Sequence, residues 1–350
     1  MSARRVAVLL GVAVIVIGFA IWLSSRRHLD RDLTAGELVL PGLEQQINTV
    51  TSVNLMKGDH TRSTLSKNAG GWSVTERGWP ADVTKVRKLL LDLVALNIVE
   101  EKTRLPANYG ALGVEDVTNP KATGTLVELV APARRWALIL GKPSGAKAGF
   151  VRVPGTPQSL LAAPPLSADA DPKSWLTREL LDVSATRVRA VEEKPAQGPA
   201  FTASRDKAEQ LDFTVSPLPK GRSLSAPSAA DALAGALSAL TLDDVRKADA
   251  AAPAPAAHAV FHTFDGLDVE LAGRKDGTHA LITIGARAAT AQAQAETQQL
   301  SARTQGWEFE IPDYKYAALF SPLEDLLAKP PEPAKKAGTA PPPNPAVIAK

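Results

Sequence analysis

The chain of 350 residues contains no cysteine. That absence excludes disulfides, thiolate zinc sites, iron–sulfur clusters, cysteine nucleophiles and a lipid anchor carried on cysteine. Aromatic residues make up only 5%, which leaves no ladder for stacking nucleic-acid bases. The middle of the chain also lacks an excess of positive charge. The formal net charge of +3 comes from the ends: residues 1–35 hold five Arg against two Asp, and residues 329–350 hold four Lys against one Glu. The remainder has 31 basic against 34 acidic residues, so it offers no basic face to a phosphate backbone and nucleic acid is not an expected partner. What the chain has in quantity is apolar residues, 45% of the total, enough for about two domains with buried cores.

There is one long hydrophobic run. Val6 to Leu23 reads VAVLLGVAVIVIGFAIWL, 18 residues without a charge, and as a helix it spans roughly 27 Å, close to a hydrocarbon core. Arg4 and Arg5 precede it, Trp22 sits at the far end, and Arg26 and Arg27 follow. A secretory signal peptide has a shorter apolar region and a small-x-small cleavage site, which Ser24-Ser25-Arg26-Arg27 does not supply. The expectation is a single-pass anchor in a lipid bilayer, with residues 1–5 cytoplasmic, 6–23 spanning, 24–42 a stalk and the folded part outside the cytoplasm. Charge alone orients it weakly, because the arginines on the two sides nearly balance.

Beyond the stalk the pattern predicts strands around the Asn68-Ala69-Gly70-Gly71 hairpin, then a helix. Asp82 is placed as its N-cap, and Val83, Val86, Leu90, Leu93 and Val94 recur at intervals of three and four. Further strands follow at 125–130, 136–140 and 150–153. A similar order recurs. Phe213-Thr214-Val215 stands where Trp72-Ser73-Val74 stands, and Ser228 with Asp231 resembles a capping box opening a helix over 229–240. Leu237-Ser238-Ala239-Leu240-Thr241-Leu242 parallels Leu93-Val94-Ala95-Leu96-Asn97-Ile98, and acidic pairs follow at Asp243-Asp244 and Glu100-Glu101. Phe309-Glu310-Ile311-Pro312 is matched with Phe150-Val151-Arg152-Val153-Pro154. The expected fold class is therefore α+β: an N-terminal transmembrane helix, then two similar units of largely antiparallel sheet, each covered by a helix, at 43–165 and 175–328. The segment 248–257 reads as a loop and 288–299 as a polar helix or an insertion. Residues 329–350, with seven Pro, read as an unfolded tail.

Candidate chemistry is sparse. His258 and His262 have a metal-ligand spacing for a helix, but they fall in a predicted strand, where four residues separate side chains by about 13 Å. Asp265 near them belongs to a hairpin turn. Gly141 to Lys147 carries the glycine and lysine of a phosphate loop without its Gly-Lys-Ser/Thr ending, and it joins strands. Asp59 and His60 share a polar turn, and the two acidic pairs lack the other oxygen ligands of a calcium loop. Of Trp72, Trp79, Trp136, Trp175 and Trp307, three lie in predicted strands; Trp79, beside Pro80, is the residue expected at a contact surface. No catalytic residue, metal site or cofactor is assigned.

The anchor, Leu40-Pro41-Gly42-Leu43, Gly71-Trp72-Ser73-Val74, Pro80-Ala81-Asp82 leading into Val86–Leu96, Ala111-Leu112-Gly113-Val114, Leu140-Gly141, Phe150-Val151-Arg152-Val153 and Trp175-Leu176-Thr177-Arg178-Glu179-Leu180-Leu181 together resemble the four-three-four-zero family of domains of unknown function. This bacterial group is found beside gliding-motility-type ABC transporters. The resemblance implies an accessory protein anchored in the bacterial inner membrane, its folded part periplasmic, whose partner is an ABC transporter permease or a gliding-type auxiliary subunit. It carries over no catalytic residue. An extracytoplasmic hydrolase and a cell-wall or glycan binder are the alternative readings.

Overall fold

The computed structural model describes residues 36–329. It divides into two compact units between Arg178 and Glu179. In the first, β1 (Ser52–Lys57), β2 (Arg62–Asn68), β3 (Gly71–Val74) and β4 (Trp79–Pro80) form a meander. The helix Val83–Val94 leads to β5 (Asn97–Glu101), and after a long connection come β6 (Thr125–Val130), β7 (Arg135–Ser144), β8 (Ala148–Arg152) and β9 (Ser159–Ala163). They make one sheet in the order β4-β3-β2-β1-β6-β7-β8-β9-β5, antiparallel at every step.

The helix forms where the sequence places it. The Asp82 carboxylate accepts from the Thr84 and Lys85 N–H groups at 3.0 and 3.2 Å, satisfying two donors that a helix start leaves open. Val86, Leu89, Leu90 and Leu93 are buried, each stabilising the fold by about 1.5–3 kcal/mol relative to exposure. Core residues on one face of the sheet include Val53, Leu55, Val127, Leu129 and Leu138.

The opposite face of this sheet is also buried. Met56, Leu126 and Ile139 are register partners in a row across β1, β6 and β7, and the connection 102–124 lies over them. Its Tyr109, Leu112, Val114 and Val117 pack on that row together with Ala137 and Phe150. Close approach requires missing side chains. A Cβ on Gly141 would stand 2.5 Å from the Leu112 carbonyl oxygen, and one on Gly124 2.3 Å from that of Gly113. Arg152 ties the covering segment down: its Nε donates to the Val114 carbonyl at 2.7 Å and its Nη2 pairs with Asp116 at 2.8 Å, while the guanidinium lies over the Tyr109 ring.

The second unit repeats the topology. A short pair, β10 (Glu179–Leu181) and β14 (Leu240–Thr241), stands apart from a sheet made of β11 (Val188–Lys194), β12 (Phe201–Ser204), β13 (Thr214–Ser216), β15 (Asp244–Lys247), β16 (Ala257–Thr263), β17 (Leu267–Asp276), β18 (His279–Ala288) and β19 (Trp307–Ile311). Its order is β13-β12-β11-β16-β17-β18-β19-β15. That is the order of the first sheet without β4, each strand in turn replaced by its later counterpart. The match of Phe213-Thr214-Val215 with Trp72-Ser73-Val74 holds, since β13 takes the place of β3. The match of Phe309–Pro312 with Phe150–Pro154 does not: β19 takes the place of β9, so Phe309 and Ile311 correspond to Leu160 and Ala162.

Several expectations need correction. Large antiparallel sheets dominate and the helices are few and short. The helix expected over 229–240 is reduced to a 3-10 turn, Pro227–Ala230, and a single helical turn, Asp231–Ala234. The chain turns away at Gly235, and Ala239 has φ 47. Ser228 caps nothing there, because Asp231 instead accepts from the Phe213 N–H at 3.3 Å. Leu233, Leu237 and Leu240 are buried all the same. The longest helix of this unit is Gln294–Thr304, inserted between β18 and β19. Among the described residues no helix is long and apolar enough to cross a membrane. The anchor expected at 6–23 lies outside the described residues, as does the tail from 330 on, so the single-pass, inner-membrane placement finds no support in the structure.

Candidate functional site

A concave feature of the second unit lies on the sheet face that corresponds to the covered face of the first. Register makes the floor. His258 on β16 pairs with Lys194 on β11 and Ala272 on β17, which pairs with Thr283 on β18; in the next row Ser216, Thr202, Glu192, Val260, Glu270 and Gly285 run across six strands. Paired residues share a face. Two hollows lie on these rows, one of about 530 Å³ walled by Ser301 and Thr304 of the inserted helix and by Gln305 just after it, the other of about 290 Å³ reaching Thr202, Ser216 and Pro217. His258 and Val260 line both, so the hollows adjoin.

Small side chains, Ala272 and Gly285 above all, create the depth. At the far end Lys247 Nζ sits 3.4 Å from the centroid of the Trp307 ring, a cation–π contact that holds the indole in place. The inserted helix is secured at both ends. Arg187 donates from Nη2 to Asp265 and to Glu296, 2.7 Å each, joining the β16–β17 turn to the helix start, and Arg303 donates to the Leu180 carbonyl. The Glu296 hydrogen bond, opposed by burial and aided by Asp265, raises the Arg187 pKa. Burial works against ionisation of Asp265, but the Thr263 hydroxyl and Arg187 outweigh it and hold this carboxyl below the usual range.

One row further on, His262 donates or accepts at Nδ1 with Asp268 at 2.8 Å, while its Nε2 lies 3.3 Å from Glu192 without hydrogen-bond alignment. Asp268 also takes Arg287 at 3.2 Å. On the other side, Glu308 holds Arg274 and Arg246, at 2.8 and 2.7 Å. These charges are committed to one another rather than aimed at a common point in the hollows. Beneath the floor, on the core face of β11, Glu193 is 2% exposed and both its carboxyl oxygens lack a hydrogen-bond partner. Burial pushes its pKa up to about 9, so it is protonated at neutral pH.

The sequence candidates fall into place around this picture. Trp79, expected at a contact surface, is 2% exposed and donates Nε1–H to the Thr177 carbonyl at 3.0 Å. It is corrected to a core residue, because β4 folds it under the chain at 175–177. His258 and His262 occupy a strand as expected, the first exposed and the second engaged by carboxylates. Asp59 and His60 form the β1–β2 turn, where the Thr61 N–H lowers the Asp59 pKa and His60 takes φ 69. Gly141–Lys147 spans a hairpin in which Lys142 donates to the carbonyls of Gly110 and Ala111. Glu100 and Glu101 pair with Lys102 and Arg104; Asp243 and Asp244 lead into β15, where the Asp243 N–H reaches the Glu310 carbonyl. Trp136 and Trp175 are buried, with their indole N–H groups on the carbonyls of Pro41 and Asp169. Among the described residues no His, Cys, Asp or Glu cluster is arranged to hold a metal ion.

Sequence reading did not single out Glu192, Glu193 or Glu270. Their meaning depends on which face of the sheet each one occupies, and only the register supplies that.

No curated protein and no solved structure matches the chain. A family described as a domain of unknown function, DUF4340, matches residues 72–258, more than half of the 350. The match runs from β3 of the first unit to β16 of the second, crossing the division between them. The chain therefore belongs to the DUF4340 family of domains of unknown function.

Proposed function

We propose that the chain is a binding component of a gliding-motility-type ABC transport system, contacting the permease or the gliding-type auxiliary subunit and catalysing no reaction itself. The observation that carries this reading is the open face of the second sheet. The first unit closes the same face with its own chain, whereas the second leaves a groove lined by Glu192, Lys194, His258, Val260 and Glu270. A surface of that size with mixed polar and small apolar residues suits contact with a polypeptide. The surrounding charges, locked in pairs, suit rigidity better than proton transfer, which needs a group free to exchange its proton. The glycan reading loses its main residue with the burial of Trp79. The hydrolase reading lacks a nucleophile within reach of His262 among its hydrogen-bond partners.

The test is complementation and cross-linked co-purification of the full chain in its native host. Recovery of a transporter subunit is expected, and Val260→Asp combined with Glu270→Arg should reduce it at least about tenfold, the effect of a lost hot-spot contact. Asp59→Ala and His60→Ala should leave it unchanged. A single polar-to-Ala variant that folds, keeps its partner and loses all function would sink the non-catalytic reading.

A further inference from the structure

In the first unit the face carrying Met56, Leu126 and Ile139 is covered in cis, by residues 102–124. The corresponding connection of the second unit, 248–256, is short and Ala- and Pro-rich, and its face stays open. We propose that the C-terminal segment of this same chain, residues 330–350, is the occupant of the open groove. The inference takes from the proposed function only that this face is a contact surface.

Three observations bear on the choice. The first is reach: extended at about 3.1 Å per residue, as Pro-rich chain runs, 21 residues span on the order of 60 Å. Lys335 and Lys336, six and seven residues beyond Lys329, reach about 20 Å from it, and Ser223, whose carbonyl accepts from the Ala328 N–H, is six residues along the chain from Pro217 at the smaller hollow. The second is charge. Residues 330–350 carry Lys335, Lys336 and Lys350 against Glu332, while the hollows present the exposed carboxylates Glu192 and Glu270 against the single Lys194. Glu193, protonated, adds no charge. The third is shape. The floor includes the small residues Ala272 and Gly285, and accommodates an extended backbone better than bulky side chains. The first-unit floor is apolar and takes the apolar Tyr109, Val114 and Val117; the second-unit floor mixes Glu192, Lys194, His258 and Glu270 with small apolar residues, and residues 330–350 likewise mix Lys and Pro with Ala and one short apolar stretch, Ala346-Val347-Ile348-Ala349.

Attachment to the same chain makes a weak contact sufficient. At an effective concentration of about 1 mM, a segment with an intrinsic dissociation constant of about 0.2 mM occupies the groove roughly 80% of the time and slows chemistry there about fivefold. Partner binding at the same face would then compete with the segment.

Because the chain has no cysteine, a single Ala272→Cys places one thiol in the groove as a reporter. Its rate of modification by a small maleimide is compared in the full chain and in the full chain carrying Lys335→Glu and Lys336→Glu. The proposal expects labelling about fivefold slower with the lysines present, the protection falling as salt is raised. In parallel, zero-length carbodiimide cross-linking of the full chain at low concentration should join Lys335 or Lys336 to Glu192 or Glu270 within one molecule. Equal labelling rates, or cross-links scattered over the surface, overturn the proposal. Cross-links found only between molecules assign the groove to a second copy and overturn it as well. Equal labelling alongside transporter-subunit recovery that still depends on Val260 and Glu270 removes this inference and leaves the proposed function standing.

Discussion

The two units share a strand order but cover the same face of it differently. In the first, the connection after β5 carries Tyr109, Val114 and Val117 onto an apolar row and Arg152 pins it from below. In the second, the matching connection is too short, and a polar helix inserted three strands later, Gln294–Thr304, takes up part of the space with only Leu300 and Thr304 buried. The floors follow the covers. Leu126 and His258 hold the same place, second in their strands and opposite Ile139 and Ala272. Leu55 and Glu193 likewise hold the same place on the core face. Duplicated topology thus leaves each copy free to diverge at the faces, because the backbone hydrogen bonds that define the sheet do not depend on which side chains it presents.

The strongest way to break this comparison is to put one charge at the matched position of each unit. Leu126→Asp should cost about 3–5 kcal/mol by burying an unpaired carboxylate under the first-unit cover, whereas His258→Asp should stay within about 0.5 kcal/mol. Chemical denaturation followed by a probe in each unit measures both. Similar losses at the two positions would mean that the second face is not open.

Glu193 sharpens the difference on the core side. Its folded pKa of about 9 lies above the ordinary carboxyl value of 4.5. The folded state therefore keeps a proton that the unfolded state releases, and stability is highest below pH 4.5 and falls as pH rises from there towards 9. Glu193→Leu, which copies Leu55, removes that cost. A gain on the order of 3 kcal/mol is expected at pH 7, larger at pH 8 and nearly absent at pH 4.5 apart from any packing change. A gain independent of pH would show that the carboxyl finds a partner or water.

A smaller effect is expected from the inserted helix. Leu300→Ala should cost about 2 kcal/mol, at the low end for a buried leucine, since solvent and a polar helix surround it. Amide exchange should accelerate across 294–304 while the first unit keeps its protection. Smallest is the β1–β2 turn, where His60 adopts a left-handed φ of 69 and the corresponding β11–β12 connection uses Gly198 at φ 95. His60→Gly should stabilise the first unit by up to about 1 kcal/mol, read as a small rise in denaturation midpoint.

How much of this was legible depended on the range of the interactions involved. The helix at 83–94 and the strand at 125–130 could be placed because cap, period and alternation are local. The second helix could not, since Leu233, Leu237 and Leu240 keep helical spacing and are buried, yet Gly235 and the pairing of Leu240 with Leu181 divert the chain. The edge strands β5 and β15 were missed because short edge segments carry mixed composition and are defined by their partners β9 and β19. Of the candidate site, the two histidines were placed in their strand and Trp79 was placed on the wrong side of the surface.

By itself the sequence determined the absence of thiol chemistry, the near-neutral, slightly acidic charge of the folded middle, the duplication and the family. Those follow from composition and from short motifs, which need no knowledge of distant partners. Only the tertiary structure decided that one face is closed in the first unit and open in the second, that Glu192 and Glu193 look to opposite sides of β11, and that Trp79 is core. Each of these depends on strand register and on which loop crosses which sheet, and both are set by contacts between residues far apart in the chain.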